Sequence, residues 1–122
     1  MNNIFRQYDI RGIVDEELSE QMVYDIARAF AAYAIRKEQN TILLGRDNRE
    51  SSPAISKIMT EALVSSGCNV IDLDMVITPI FYYAARHLNI QAGIMITASH
   101  NPPEYNGCKL LLGDSTIYGA YY

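Results

Sequence analysis

Ala92-Gly93-Ile94-Met95-Ile96-Thr97-Ala98-Ser99-His100-Asn101-Pro102 changes character midway, from five apolar residues to a polar run that carries a proline. A short apolar stretch bounded by turn residues has the pattern of a buried strand. Ser99 then stands where a strand of an α/β sheet passes into a loop, and such folds bind ligands beyond the carboxyl ends of their strands. A serine hydroxyl is a poor nucleophile unless it has a neighbouring base or already carries a phosphate. His100 is adjacent and Lys109 follows ten residues on, so a proton carrier and a cationic counter-charge are both near in sequence. The same residue types also make serine and Asx turns that cap their own backbone, and spacing alone accommodates either reading.

Upstream, residues 19 to about 37 read as a helix, with Met22, Ile26, Phe30 and Ala34 recurring every four residues beside Val23, Ala27 and Ala31. Ser19 is its N-cap. Thr41-Ile42-Leu43-Leu44 reads as a buried strand ending at Gly45. Ser52-Pro53 starts a second helix, with Ser52 as cap, an inner face of Ile55, Ile58, Met59, Ala62 and Leu63, and Gly67 at C′. Val70-Ile71-Asp72-Leu73 is the next strand, and Thr78-Pro79 opens a third helix by the same capping logic, through about Leu88.

Strand–helix–strand units with one crossover helix make neighbouring strands parallel. The strands ending near Gly45, Asp74 and Thr97 therefore point one way, and the loops 45–51, 74–78 and 98–106 open along one edge. No crossover helix separates Ile96 from Gly107-Cys108-Lys109-Leu110-Leu111-Leu112. This last strand runs antiparallel and folds Lys109 back toward Ser99. The expected fold is a three-layer α/β/α domain with a small mixed, mainly parallel sheet.

At 122 residues the chain suffices for one domain with a genuine core. A hydrophobic fraction of 49% with 20% charged residues is that of a globular chain, with no apolar run of the ~20 residues that a spanning helix needs. No internal repeat or linker is evident, and no secretory signal is expected. The net charge of −4 argues against a general nucleic-acid binder, and the nine tyrosines are not interleaved with a basic stripe. Cys68 and Cys108 read as buried, reduced thiols, which suits the cytoplasm.

Four of the ten Lys and Arg residues, Arg11, Arg46, Arg49 and Lys109, fall in or beside the suspected loops. An acidic chain that gathers cations at one edge is suited to holding an anion there. Asp47 and Glu50 are adjacent to Arg46 and Arg49, so a loop-bracing role for that motif stands beside the ligand role, and it is kept out of the catalytic set. Tyr8-Asp9-Ile10-Arg11-Gly12 has no evident helix or strand period. His87 reads as a partly exposed helical histidine. Asp72 and Asp74 read as strand-end residues rather than a metal pair.

Thr97 to Pro102 resembles the phosphoserine loop of the α-D-phosphohexomutases, which move phosphate between C1 and C6 of hexoses. Tyr8-Asp9-Ile10-Arg11-Gly12, Gly45-Arg46-Asp47-Asn48-Arg49 and Tyr105-Asn106-Gly107-Cys108-Lys109 extend the resemblance in family order. The start Phe5-Arg6-Gln7-Tyr8-Asp9-Ile10-Arg11-Gly12 is similar to the phosphomannomutase/phosphoglucomutase branch. Such enzymes have four domains over roughly four times this length, each of ordinary domain size. The resemblance implies that residues 1–122 are the first, phosphoserine-bearing domain, a truncated piece or an excised unit. The Asp-Gly-Asp-x-Asp metal loop, the sugar-recognition loop and the distal phosphate clamp would belong to domains without a match here.

What the resemblance implies for the site is specific. Ser99 carries the phosphoryl group, with His100, Lys109 and Arg11 as its catalytic neighbours. Tyr8, Arg11, Asn101 and Lys109 contact phosphate, and Mg²⁺ sits on a phosphate oxygen of Ser99 with carboxylates from the second domain. A hexose 1,6-bisphosphate is the intermediate and activator. The implied partners are a hexose phosphate and the remaining mutase domains, with no nucleic acid and no membrane. The chain alone is expected to be nearly inactive. The alternative from another class is a non-catalytic phosphate-binding or self-associating module.

Overall fold

The computed structural model describes residues 5–6, 9–98, 101–113 and 115–116. Their order is β1 (Phe5–Arg6), β2 (Asp9–Ile13), α1 (Glu20–Arg36), β3 (Thr41–Arg46), α2 (Ser52–Ser65), β4 (Asn69–Met75), α3 (Thr78–His87), β5 (Ala92–Ile96), β6 (Tyr105–Leu112) and β7 (Ser115–Thr116). One sheet runs β1-β2-β6-β5-β3-β4, with β7 beside β6.

The α/β architecture and the mixed sheet stand as expected, and so does the antiparallel return of β6 onto β5. The parallel share is smaller than the helix pattern suggested. Among the described strands β3–β4 and β3–β5 pair in parallel, while β1–β2, β2–β6, β5–β6 and β6–β7 are antiparallel. The main source of the difference is β2, which pairs with both β1 and β6 and lacks an alternating apolar face long enough to read as a strand. Its Gly12 and Arg11 interrupt the pattern, and pairing with β6 supplies the order that local preference does not.

Alternation along the central strands creates the layers. Ile42 and Leu44 of β3 and Ala92, Ile94 and Ile96 of β5 enter a core with Val23, Ile26, Ala27, Phe30 and Ala31 of α1 and Ile55, Met59 and Leu63 of α2. Leu43, Met95 and Leu111 turn the other way, onto Phe81 and Ala85 of α3. Burial of each large apolar side chain contributes about 1.5–3 kcal/mol. Cys68 and Cys108 are free and buried, and burial pushes the Cys68 thiol up from its ordinary value.

The helix boundaries follow capping chemistry with two corrections. Ser19 caps α1 as expected, its Oγ accepting from the Met22 amide at 3.1 Å. At α2 the cap position belongs to Ser51, and Ser52 is the first helical residue. The Ser52 hydroxyl donates instead to Asp47 at 2.6 Å, a bond to a carboxylate and so a stronger one. At α3 Ile77 takes the cap position and Thr78 lies inside the helix. Gly67 does end α2 at φ +98, with Gly67 N–H donating to Val64 O and Cys68 N–H to Leu63 O, the paired bonds of a Schellman motif. Glu38 and Asn89 take the same left-handed position after α1 and α3.

Gly107 marks the closest approach in the sheet. A Cβ there would lie 1.9 Å from the Ile10 carbonyl oxygen and 2.6 Å from Arg11 Cα. Gly107→Ala should therefore push β2 off β6 and cost about 3 kcal/mol. A urea titration reads this as a lower midpoint, and an unchanged midpoint would contradict the packing described.

Candidate functional site

The loops after β3, β4 and β5 do open along one edge. A cleft of about 1000 Å³ is lined there by Asp47 and Arg49, Val76 and Thr78, and Thr97 and Asn101, with Lys109 entering from β6. Ser99, His100 and Tyr8, three of the residues singled out in the sequence, lie outside the described residues. Their chain neighbours Thr97, Ala98 and Asn101 are described. The Thr97 amide donates to Gly107 O at 2.9 Å and the Asn101 amide to Ala98 O at 3.1 Å.

Register accounts for the placement of Lys109 and Arg11, which belong to strands. Lys109 pairs with Met95 across β5, and Arg11 pairs with Gly107 across β6. By alternation both share the face of Met95 rather than that of Ile10 and Cys108, which lie in the α1–α2 core. Lys109 is half-buried and lines the cleft. The Arg11 guanidinium donates from Nη1 to Asn101 Oδ1 at 2.7 Å.

Arg49 is the residue whose role the sequence left divided. Its Nη2 donates to Asn101 O at 2.8 Å, and its Nη1 to Pro102 O at 2.8 Å and Tyr105 O at 3.1 Å. Its Nε donates to Asp47 Oδ2 at 3.2 Å, while Asp47 Oδ1 accepts from the Arg49 amide and the Ser52 hydroxyl. One guanidinium thus binds three backbone carbonyls of the segment that follows Ser99, which is bracing. Arg46 pairs with Asp74 rather than with Asp47 or Glu50. Asp72 accepts from the Asp74 amide at 2.7 Å, a strand-end turn. His87 is exposed and stacks on Tyr83.

Asn106 belongs to the 105–109 block of the resemblance, but its bridging role escaped the sequence reading. It is fully buried, and its Nδ2 donates to Ser51 Oγ at 2.7 Å and Ser52 Oγ at 3.0 Å, while its Oδ1 accepts from the Gly107 amide at 2.8 Å. A lone asparagine between a loop and a strand gave no signal of this, because its serine partners lie more than fifty positions away. Among the described residues no buried side-chain nitrogen or oxygen lacks a partner. Among the same residues no three His, Cys, Asp or Glu side chains are grouped so as to hold a metal. No described helix is long and apolar enough to cross a membrane.

The structure is thus a three-layer α/β/α domain with cations and a braced loop at its strand ends. Comparison narrows the class. The family model described as phosphoglucomutase/phosphomannomutase, alpha/beta/alpha domain I, matches residues 2–118. A phosphomannomutase/phosphoglucomutase of Pseudomonas aeruginosa is 43% identical over 115 residues, which are 94% of this chain and 25% of that protein. A phosphoglucomutase of Neisseria gonorrhoeae is 46% identical over 117 residues, 96% of this chain and 25% of the relative. The crystal structure of a phosphoglucomutase/phosphomannomutase family protein from Burkholderia thailandensis superposes with a TM-score of 0.89 at 34% identity, over 98% of this chain and 28% of that one. The chain belongs to the phosphoglucomutase/phosphomannomutase family and corresponds to its first domain. It spans about a quarter of the length of these curated relatives.

Asn106→Ala would leave the Ser51 and Ser52 hydroxyls and the Gly107 amide without this partner. The expected loss is about 3 kcal/mol, since buried groups left unpaired are costly. It should appear as a lower urea midpoint at unchanged slope. A loss below about 0.5 kcal/mol would mean that water replaces the amide freely.

Proposed function

We propose that this chain is the phosphoryl-carrying domain of a phosphomannomutase or phosphoglucomutase, with Ser99 as the carrier. The observation that supports the reading best is the cleft at the strand ends, which Thr97 and Asn101 line together with Lys109. In this reading phospho-Ser99 gives its phosphoryl group to a free hydroxyl of a hexose monophosphate. The bond from phosphorus to the serine oxygen breaks as the bond to the sugar oxygen forms. The sugar's proton passes to the serine oxygen by way of His100 or Lys109. The hexose 1,6-bisphosphate reorients and returns its other phosphate to Ser99. Lys109 and Arg11 meet the charge on the transferring oxygens, Tyr8 adds a phosphate contact, and Asn101 acts on the phosphate through Arg11, to which its Oδ1 is hydrogen-bonded.

The described residues of this chain do not by themselves fit the Mg²⁺ that the family implies, because no three carboxylate, imidazole or thiol groups gather among them. The reading takes the metal's carboxylates from outside this stretch, and the chain alone is nearly inactive. Two free, buried thiols suit a reducing compartment, the cytoplasm. A second reading, self-association of the isolated domain, is favoured by the exposed side chains Met75, Ile77, Ile80 and Tyr83. Sedimentation at rising concentration tests it, and a monomer throughout would dismiss it.

In the complete enzyme, Ser99→Ala should abolish phosphorylation of this domain and nearly all turnover. Intact mass after incubation with a hexose bisphosphate should rise by one phosphoryl group in the parent and not in the variant. Phosphate mapped to Thr97 or Thr78 would overturn the assignment.

A further inference from the structure

Asn101 is held from two sides. Its backbone carbonyl accepts from Arg49 Nη2 at 2.8 Å, and its side-chain oxygen accepts from Arg11 Nη1 at 2.7 Å. The two arginines come from distant parts of the chain. Arg11 lies on β2, and Arg49 in the loop between β3 and α2. Arg49 is itself fixed by Asp47, and with side-chain exposures of 13% and 20% this ion pair is largely screened from water. The Asp47 amide in turn donates to Ile96 O at 3.0 Å, at the end of β5. A continuous path of hydrogen bonds therefore runs from the end of β5 through Asp47, Arg49 and Asn101 to the Arg11 guanidinium.

We propose that Asn101 and Arg49 are positioning residues, with Arg49 fixing the backbone at Asn101 and the Asn101 side chain aiming Arg11 at the transferring phosphate. The inference rests on the phosphoryl-carrier reading for its functional sense, though not for its geometry. A planar guanidinium suits the task because its donors diverge in fixed directions and can serve several carbonyls at once. A lysine at position 49 keeps the charge and loses that fork. An alanine at 101 keeps the backbone carbonyl for Arg49 and removes the side-chain oxygen that accepts from Arg11. An aspartate at 101 restores an acceptor.

These differences define a test on the chain itself. NMR of the arginine side chains should resolve slowly rotating Nη groups for Arg11 in the parent. Asn101→Ala should average those signals, and Asn101→Asp should restore them. Arg49→Lys should average them too, and should speed exchange of the Asn101 and Tyr105 amides about tenfold. These amides donate to Ala98 O and Pro102 O within the same segment. The amides of Leu43 and Ile94, in the central strands, should keep their protection.

Arg11 signals unaltered by Asn101→Ala would overturn the proposal. So would Arg49→Lys if it frees the segment's amides and leaves Arg11 ordered. The pair of Asn101 variants decides the matter even if Arg49→Lys fails to fold. In the complete mutase, Asn101→Ala should lower kcat about tenfold with KM within about twofold, and Asn101→Asp should recover most of the loss. Absence of phosphate on Ser99 in the parent enzyme would defeat the phosphoryl-carrier reading, whereas the Arg11 signals would still decide whether Asn101 orients that side chain.

Discussion

Strand β6 pairs antiparallel with β5 on one side and β2 on the other, and the rest of the edge depends on that double registration. The backbones of β2 and β6 approach closely enough that position 107 has no room for a Cβ. Once Gly107 sits opposite Arg11, strand alternation decides every other assignment on β6. Cys108 turns into the α1–α2 core, and Lys109 turns to the face of Met95. A slip of one residue would bury the lysine and expose the thiol. Burial of the apolar side and placement of the cation are one constraint, so core packing also builds the site.

Beyond the sheet, the edge is held by polar groups that satisfy one another. Asp47 takes Arg49 and Ser52, Asn106 takes Ser51 and Ser52, and Arg49 takes three carbonyls of the segment 101–105. Each bond contributes modestly, on the order of 1 kcal/mol, whereas a buried group left unpaired costs more. Such a network is therefore cooperative, and it gives one geometry rather than several. For the proposed phosphoryl transfer that would matter because catalysis relies on donors already in place when charge develops.

The layers and three helices are legible in the sequence because their apolar periods are long and cleanly bounded. Ser19, Gly67 and the stripe from Val23 to Ala34 announce α1 and the end of α2. The antiparallel return of β6 is legible from the missing crossover helix alone. Three things are hidden. Strand β2 is too short and too interrupted by Arg11 and Gly12 to show a period. Serine before proline commonly caps a helix, yet the Ser52 hydroxyl prefers the Asp47 carboxylate. The bracing role of Arg49 depends on carbonyls more than fifty residues away, and carbonyls carry no sequence signature. Ser99, His100 and Tyr8 rest on motif resemblance, and they lie outside the described residues.

In the proposed function, the strand-end edge is the place where a phosphoryl group and its counter-charges meet. The most direct measurement is a crystal structure of the chain phosphorylated at Ser99. The account predicts the phosphate at the carboxyl end of β5, with the Lys109 ammonium and the Arg11 guanidinium both within about 4 Å of its oxygens. A phosphate turned to solvent, with both cations more than about 8 Å away and screened from it, would contradict the account.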